Sequence, residues 1–576
     1  MKRYYLYVAL AAATSLSLAS CSDDSGDEPQ IVVPDSDDNN TSDDDDDEID
    51  PANFTIPTYA DDYSSISGWA DRAKWNLANV HDPSVVYWTD GYYYMWGTDA
   101  SYGNAHDGHG HFQGKRSKDL VNWEWVPGIF YDQARPSWIL EKVNEYLTLA
   151  GKETVTDSDL SLGCWAPCAR KVTVNGLAKI RMYFSIVFDG TANPKTMIGG
   201  NQGTPALIGV CETTDPNGGT WEHLGFVTCS SADHEFTTSN LNATQWGGFY
   251  YYNAIDPTYI ITPDDEHWLI HGSWHSGFAA LQINPLTGKP LYPIEGSPWL
   301  ASADAVHQTY GVNVSSRSAS SRWQASEGPE VIYHDGYYYL FMAYDGLDVP
   351  YNTRVVRAEK ITGPYYDITG RNNTNGRGDC YPVVTHPYKF QKGWGWVGIS
   401  HCCIFPKKGK QDATDWFYMS QGRLPAGANG NAYANAIMMG HVRKLVWAPA
   451  SASDLTNRWP IALPERYAAV PNYGELTADS IVGKWEHIDL SYNYGVQDES
   501  SYVNFNENGT ITDNDGNKVL GGEWKYDATN KLLIIGSAAI CVEREVDWEA
   551  TPRCVTLVYA GIGQDGKTTW WGKKVE

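Results

Sequence analysis

Positive charge, phenylalanine and long apolar runs are all scarce in this sequence of 576 residues. Lys and Arg number 42 against 70 Asp and Glu, and this balance argues against a nucleic-acid partner, which would require a basic surface. Beyond Leu18 no run is long and apolar enough to cross a bilayer. Phe occurs 14 times against 38 Tyr and 24 Trp, an excess typical of sheets that expose aromatic faces and also of aromatic β cores.

Cysteine is scarce too, with ten in the chain. The nine that follow Cys21 are an odd number, so at least one stays unpaired unless another chain contributes, although export would permit some disulfides. Neither Cys164-x-x-x-Cys168 nor Cys402-Cys403 has a second Cys or His pair at zinc-site spacing. These pairs therefore do not predict a zinc site.

The first 52 residues form an export signal and a tether. Met1-Lys2-Arg3 and the apolar run to Leu18 predict a signal peptide, and Leu18-Ala19-Ser20-Cys21 resembles a bacterial lipobox. That resemblance implies that Cys21 is lipidated and is the protein's anchor to the outer membrane; an ordinary secretory signal with a chance Cys is the alternative. Residues 22–52 are predicted to be an acidic disordered tether, similar to the surface-export segments of lipoproteins from Bacteroides-like bacteria.

A hairpin pattern occurs twice in the chain. Residues 81–96 read as a carboxylate, a strand, an Asp-Gly turn and an aromatic strand, and residues 327–341 repeat these parts in the same order. Asp-Gly between β-branched and aromatic runs is a strong hairpin signal. The repetition predicts a repeat fold.

Five units of this kind can be aligned, with starts near Asp82, Cys164, Asn253, Glu327 and Gly398. Each supplies enough sequence for four short strands, which predicts an all-β fold with a five-bladed β-propeller over residues 53–470. A two-sheet sandwich is the competing architecture, but it does not explain five matched starts. Short strands and tight turns over residues 477–576 predict a small C-terminal antiparallel barrel or sandwich.

Acids occur at the starts of units one, three and four: Asp82, Asp256 and Glu327. Inner strands of a propeller begin near its axis, so these acids are predicted to converge. Two carboxyl groups held apart, one ionised and one protonated, are the arrangement that hydrolyses a glycosidic bond. A single Asp before Pro usually bonds a local backbone N–H, but three acids in related repeats favour a shared site.

Several motifs resemble glycoside hydrolase family 43, and within it extracellular endo-α-1,5-L-arabinanases. They are His-Asp-Pro-Ser-Val, Trp-Ala-Pro, Asn-Ala-Ile-Asp-Pro, Gly-Ser-Trp and Ser-Glu-Gly-Pro, in that order between residues 76 and 464. The resemblance implies an inverting enzyme in which Asp82 is the general base, Glu327 the general acid, and Asp256 the residue that orients the acid and tunes its pKa. Glu330 is a rival for the acid, but Glu327 holds the position before Gly-Pro.

The same resemblance implies the remaining site residues. Those expected to line the sugar subsites are Asn253, Ala254, Ile255, Ser273, Trp274, His275 and Trp165. Core packing is the alternative for Trp165 and Trp274. His401 matches an axial histidine that holds a largely water-coordinated calcium ion, although Cys402-Cys403 after it departs from the family pattern.

Two other candidates are weaker. His106, His109 and His111 lie in a Gly-rich loop that is more typical of a solvated or substrate-edge loop than of a metal site. Asp513-Asn514-Asp515-Gly516 resembles the start of a calcium loop but lacks the distal Glu, which favours a plain turn.

The sequence thus predicts a monomeric outer-membrane lipoprotein, facing the cell exterior, that cleaves arabinan internally. Two alternatives stay open. One is an exo-acting α-L-arabinofuranosidase or β-xylosidase on the same fold, because loops between blades decide whether a cleft is open. The other is a non-catalytic surface glycan-binding protein.

Overall fold

The computed structural model describes residues 49–57, 75–99, 111–130, 135–149, 153–160, 162–188, 206–230, 252–274, 276–292, 310–317, 326–374, 378–432 and 434–575. The chain divides into two units, residues 1–48 and 49–576. The predicted signal peptide, Cys21 and the predicted tether up to residue 48 lie outside the described residues, and everything below concerns the second unit.

Five four-stranded antiparallel sheets form the blades of the predicted propeller. Blades I to III contain β1 (Ser84–Tyr87), β2 (Tyr93–Trp96), β3 (Gly114–Ser117), β4 (Glu124–Val126), β5 (Leu162–Val174), β6 (Leu177–Phe188), β7 (Ala206–Thr213), β8 (Glu222–Cys229), β9 (Thr258–Ile261), β10 (His267–His271), β11 (Phe278–Ile283) and β12 (Val312–Ser315). Blades IV and V contain β13 (Ser326–His334), β14 (Tyr337–Tyr344), β15 (Asn352–Ala358) and β16 (Val383–Thr385), then β18 (Cys403–Pro406), β19 (Trp416–Gly422), β20 (Met439–Ser451) and β21 (Asp454–Ala462). The chain therefore adopts the predicted five-bladed all-β architecture.

Both predicted hairpins are present. In blade IV, His334 pairs with Tyr337 across a two-residue turn, and Asp335 and Gly336 have φ values of 46° and 85°. Two positive φ values define a type I′ turn, which matches the twist of the strands it joins. In blade I, Tyr87 pairs with Tyr93 across a longer turn that contains Asp90-Gly91.

The segment before blade I closes the ring. Ala78 forms an isolated bridge with Met439 of β20, and the N–H of Gly440 donates to the carbonyl of Leu77 at 2.7 Å. The N–H of Val80 also donates to the carbonyl of Met438. Residues 77–80, directly before blade I, thus contact the last blade and give its strand β20 a partner from the other end of the propeller.

One helix, α1 (Ser137–Leu149), lies between blades I and II. Ile139, Val143 and Leu147 repeat every four residues and are buried in the core of these blades. The sequence analysis did not predict this helix, since a single apolar stripe between aromatic strands gave little helical signal.

The C-terminal region is a closed eight-stranded antiparallel barrel. The short helix α2 (Ala478–Ile481) precedes it, and its strands are β22 (Gly483–Leu490), β24 (Ser501–Phe505), β25 (Thr510–Thr512), β26 (Lys518–Asp527), β27 (Leu532–Ile535), β28 (Ala538–Asp547), β29 (Cys554–Ile562) and β30 (Thr569–Lys574). β17 (Tyr388–Lys389), after blade IV, pairs in parallel with β23 (Asp498–Glu499), before β24. Closure removes the exposed strand edges that a sandwich would keep.

The barrel is joined to the propeller by buried polar contacts. Lys573 of β30 contacts Glu465, which follows β21 of the propeller, at 3.0 Å, and it also contacts Asp547 and Glu549 of the barrel itself at 3.1 and 3.2 Å. The indole N–H of Trp571 donates to the carbonyl of Ala462 at 2.7 Å. These contacts make the barrel an integral part of the second unit.

A polar network at the propeller axis includes a group from every blade. Glu330 of β13 receives two hydrogen bonds from Arg170 of β5, at 2.6 and 2.7 Å, and one from Thr258 of β9 at 2.8 Å. The N–H of Ile404 in β18 also donates to Glu330, and Arg170 donates to Ser84 of β1. With both carboxylate oxygens occupied in this way, Glu330 is a structural residue rather than a rival for the general acid.

None of the nine cysteines from Cys164 to Cys554, all within the described residues, forms a disulfide. In the same part of the chain, no helix has the length and apolar character needed to span a membrane.

Candidate active site

One residue near the start of each inner strand has a left-handed backbone. The φ values are 47° for Asp82, 39° for Ala166, 55° for Asp256, 56° for Gly328 and 55° for His401. Non-glycine residues rarely adopt this conformation, and they concentrate at functional sites. Blades I, II, III and V therefore each place one strained residue near the start of the inner strand, and blade IV places Gly328 there without strain.

This register refines the predicted alignment of the three acids. Asp82 and Asp256 occupy equivalent positions, whereas the equivalent position in blade IV belongs to Gly328, and Glu327 lies one residue earlier. A Cβ atom on Gly328 would lie 2.8 Å from Cγ of His401, so only glycine fits against that ring. Glu327 is offset by one residue from Asp82 and Asp256 because the ring of His401 occupies the space beside Gly328.

Asp82 is held by groups that favour its charged form. His401 Nδ1 lies 2.9 Å and His81 Nε2 3.3 Å from Oδ1, while the hydroxyl of Thr98 donates to Oδ2 at 2.6 Å. Burial alone would raise the pKa of Asp82, but His401, His81 and Thr98 together hold it well below its ordinary value. Asp82 is therefore a carboxylate throughout the physiological range.

The pKa of Glu327 is shifted in the opposite direction. Burial raises the pKa of Glu327, and the negative charge of Asp82 adds to the rise, although donors around the carboxyl and the charge of His401 oppose it. The donors are the hydroxyl of Tyr351, at 2.7 Å from Oε1, and the indole N–H of Trp274, at 2.6 Å from Oε2. The hydroxyl of Ser273 lies 3.4 Å from Oε2. The carboxyl is thus held in a fixed orientation and binds its proton more tightly than an exposed Glu.

The third acid, Asp256, contacts the backbone directly beside Glu327. Its Oδ2 accepts the N–H of Gly328, next to Glu327, at 3.1 Å, and its own N–H donates to Ser185. Burial raises the pKa of Asp256 to about 7, with further contributions from Glu327 and Asp82 against the charge of His401. A direct link to the backbone beside Glu327 is the contact expected of an orienting residue.

His401 is the cation among these acids. Burial would lower its pKa, but Asp82, Asp256 and Glu327 raise it to about 9. Its Nδ1 contacts Asp82, and the hydroxyl of Tyr351 lies 3.5 Å from the same nitrogen.

These residues do not fit calcium by themselves. A hard cation requires several oxygen ligands, and within the described residues no group of three potential ligands includes His401. The predicted calcium ion stays a prediction.

The residues predicted to line the sugar subsites differ in their surroundings: some contact Glu327, one is partly exposed and others are buried. Trp274 and Ser273 contact the acid, as given above. Trp165 is 37% exposed, which rules out full core packing. Ala254 and Ile255 are buried, Ile255 against Val187 and Ala206.

The side chain of Asn253 is buried as well, and its Oδ1 accepts the hydroxyl of Ser230 at 2.7 Å. His275 lies outside the described residues. A contact between any of these residues and sugar stays a prediction.

Sequence analysis missed Thr98, Tyr351 and His81 as parts of the site. Thr98 also accepts the N–H of Ala166, so it links Asp82 in blade I to blade II. Thr98 and Tyr351 are common residue types next to strands, and only the folded arrangement brings them to the acids. His81 is the exception with a signal, since it directly precedes Asp82.

The propeller axis carries Asp82, whose pKa is lowered, beside Glu327 and Asp256, whose pKa values are raised, and carboxyl groups with pKa values driven apart are the arrangement that a glycoside hydrolase uses. Residues 77–385, more than half of the chain, match the family model for glycosyl hydrolases family 43, and residues 464–572 match that of a C-terminal lipocalin-like domain. The chain belongs to glycosyl hydrolase family 43.

Two curated relatives extend over most of the chain. An extracellular endo-α-(1→5)-L-arabinanase of Thermotoga petrophila is 24% identical over 534 residues, covering 88% of this chain and 96% of the relative. The extracellular endo-α-(1→5)-L-arabinanase 2 of Bacillus subtilis is 23% identical over 546 residues, covering 90% and 96%. A family 43 glycoside hydrolase of Bacillus licheniformis has the same fold, with a TM-score of 0.61 at 19% identity over 87% of this chain and 99% of that one.

Proposed function

We propose that this protein is an inverting endo-α-1,5-L-arabinanase that hydrolyses internal bonds of arabinan. The observation that carries the proposal is that the pKa values of Asp82 and Glu327 are shifted in opposite directions beside one histidine, His401, which contacts Asp82 at 2.9 Å. Two carboxyl groups with pKa values driven apart are what acid and base roles in glycoside hydrolysis require. The arabinanase relatives favour arabinan as the substrate.

In the proposed mechanism, Asp82 accepts a proton from a water molecule that attacks the anomeric carbon. Glu327 donates its proton to the departing glycosidic oxygen, so the bond breaks with inversion. Such enzymes hold base and acid about 6.5–9.5 Å apart to admit the water. Asp256 orients the acid through Gly328, and its negative charge, once formed, helps Glu327 to retain its proton.

The test is hydrolysis of linear α-1,5-arabinan. Endo action releases mixed oligosaccharides from the first minutes, whereas release of monosaccharide alone would favour the exo-acting alternatives. Proton NMR of the first product decides the stereochemistry: inversion of an α-linked substrate yields the β anomer, and an initial α anomer would exclude the proposed roles.

Substitution separates an enzyme from a glycan-binding protein. Asp82→Asn and Glu327→Gln should each lower kcat by about 10²- to 10⁴-fold. Asp335→Asn and Glu523→Gln, two exposed acids, are matched controls that should leave kcat unchanged. If all four variants behave alike, the mechanism is wrong.

We also propose that the protein is exported and anchored to the outer membrane through lipid on Cys21. The lipobox and acidic tether support this, and the curated relatives are named as extracellular. Labelling of cells with a palmitate analogue should mark the wild type and not Cys21→Ala. Surface protease should then remove the wild-type protein from intact cells.

A further inference from the structure

A second cluster of reactive side chains lies beside the active site. Asp99, His111 and Cys164 place one potential metal-ligand atom each within 4.8 Å of one another, and this is the one such group of three within the described residues. Nδ1 of His111 contacts Oδ2 of Asp99. The cluster links two residues that lie between β2 and β3 of blade I, Asp99 and His111, to Cys164 near the start of β5 in blade II.

The backbone around the cluster supports its geometry. The N–H of Asp99 donates to the carbonyl of Cys164 at 3.1 Å, and the N–H of Phe112 donates to Oδ1 of Asp99 at 2.9 Å. Three segments far apart in sequence are thus held together by hydrogen bonds that do not involve the thiol. Cys164 is fully buried and Asp99 nearly so, while the side chain of His111 is 26% exposed.

The ligand types select a class of metal. A thiolate, an imidazole and a carboxylate together suit zinc, which prefers nitrogen and sulfur ligands in a tetrahedral shell. Calcium and magnesium prefer all-oxygen shells, so the thiol argues against them. The pattern was invisible to a search for paired cysteines, because one Cys, one His and one Asp come from separate segments.

We propose that Asp99, His111 and Cys164 bind one zinc ion, with water completing the shell. Binding displaces the thiol proton of Cys164 to solvent, and the sulfur forms the bond to the metal. The exposed edge of His111 gives the ion its entry.

The location indicates what the ion does. Asp99 follows Thr98, which donates to Asp82, and Cys164 precedes the exposed Trp165. The ion would fasten the segment that supports Asp82 to the segment that presents Trp165. This is a structural role, independent of which polysaccharide the enzyme cleaves.

The experiment uses the full secreted chain, stripped with a chelator and titrated with Co²⁺ as a spectroscopic substitute for Zn²⁺. We expect about one Co²⁺ per chain, with a thiolate-to-cobalt charge-transfer band and tetrahedral d–d bands, both lost when Zn²⁺ displaces the cobalt. A Co²⁺ spectrum without the thiolate band, or no binding, would overturn the proposal whatever the glycosidase assay gives.

Variants identify the ligands. Cys164→Ser and His111→Ala should abolish the thiolate band or weaken Zn²⁺ binding by at least about tenfold, while Cys211→Ser, a buried cysteine of the same blade outside the cluster, should leave the spectrum unchanged. Because Cys164→Ser could disturb the core, Asp99→Asn, which keeps the side-chain shape, provides an independent variant. Retention of wild-type affinity by folded Asp99→Asn and His111→Ala would exclude this site.

Discussion

Opposed charges set the protonation of the active-site residues. The imidazolium of His401 contacts Asp82, whereas Glu327 receives neutral donors only, from Trp274 and Tyr351. A charged hydrogen-bond partner stabilises a carboxylate more than a neutral one does. The same buried environment therefore leaves one acid ionised and raises the pKa of the other.

The pH profile should have its descending limb on the alkaline side. Burial raises the pKa of Glu327, so the proton that Glu327 must donate is present below that raised pKa and is lost as the pH rises through it. Asp82, with its pKa held well below the ordinary value, contributes no limb near neutrality. Measurement of kcat/KM from about pH 4 to about pH 10 checks this. An alkaline plateau with loss of activity at pH 5 would contradict it.

Trp274→Phe should move that alkaline limb upward. Loss of the indole N–H removes a donor that favours charged Glu327, so the pKa of Glu327 rises further. Trp268→Phe, which removes a similar bond to exposed Glu266, is the control and should leave the profile in place. A downward shift for Trp274→Phe would mean that the indole stabilises the protonated acid.

At the scale of elements, the barrel loop after β22 contacts the propeller segment that holds Glu327 in place. Tyr492, after β22, donates to Asp345 at 2.7 Å, and Asp345 accepts from Asn352 at 3.3 Å and from Arg317 at 2.7 Å. Asn352 directly follows Tyr351, the donor to Glu327. The C-terminal barrel thereby supports the loop after β14 that positions the acid.

Tyr492→Phe should therefore reduce kcat by about fivefold, the effect of one lost hydrogen bond of about 1 kcal/mol, with little change in KM. The alkaline limb should shift as well, because Tyr351 would be held less firmly against Glu327. Tyr526→Phe, on the same barrel, serves as the control. A loss confined to thermal stability would show that Tyr492 is structural and does not position the acid.

Local elements could be predicted from the sequence, whereas contacts between them could not. Asp335-Gly336 predicts the turn between β13 and β14 because positive φ values require such residues. Helix α1 was missed because its three apolar positions lie among aromatic strands. Thr98 and Tyr351 were missed because their partners, Asp82 and Glu327, are reached only after the blades have assembled. The recurring acids were found because repetition is visible in the sequence.

At the scale of the whole molecule, a buried ion pair and its hydrogen bonds hold the five blades together at the propeller axis. Glu330 and Arg170 form a bidentate pair, and hydrogen bonds extend it to Ser84, Thr258 and Ile404, one from each other blade. The sequence identified Glu330 only as a candidate acid, since nothing in its local pattern reveals Arg170, a residue of another blade.

Glu330→Ala should destabilise the protein by about 3–5 kcal/mol, because Arg170 would keep a largely buried charge without a partner. Glu222→Ala, which removes an exposed carboxylate from Lys179, should cost at most about 1 kcal/mol. The shift of the urea midpoint at constant slope measures both. The double variant Arg170→Met with Glu330→Leu should recover part of the loss, and failure to recover any would show that the remaining hydrogen bonds, rather than the pair, carry the stability.

The bridge between Ala78 and Met439 has a consequence for how the chain is made. Synthesis proceeds from the N-terminus, so the residues just before blade I cannot meet β20 until nearly the entire propeller has been made. Contacts between segments so distant in sequence slow folding. The ring therefore closes as one of the last events of folding, and until then the incomplete propeller exposes open strand edges to chaperones and to other unfolded chains.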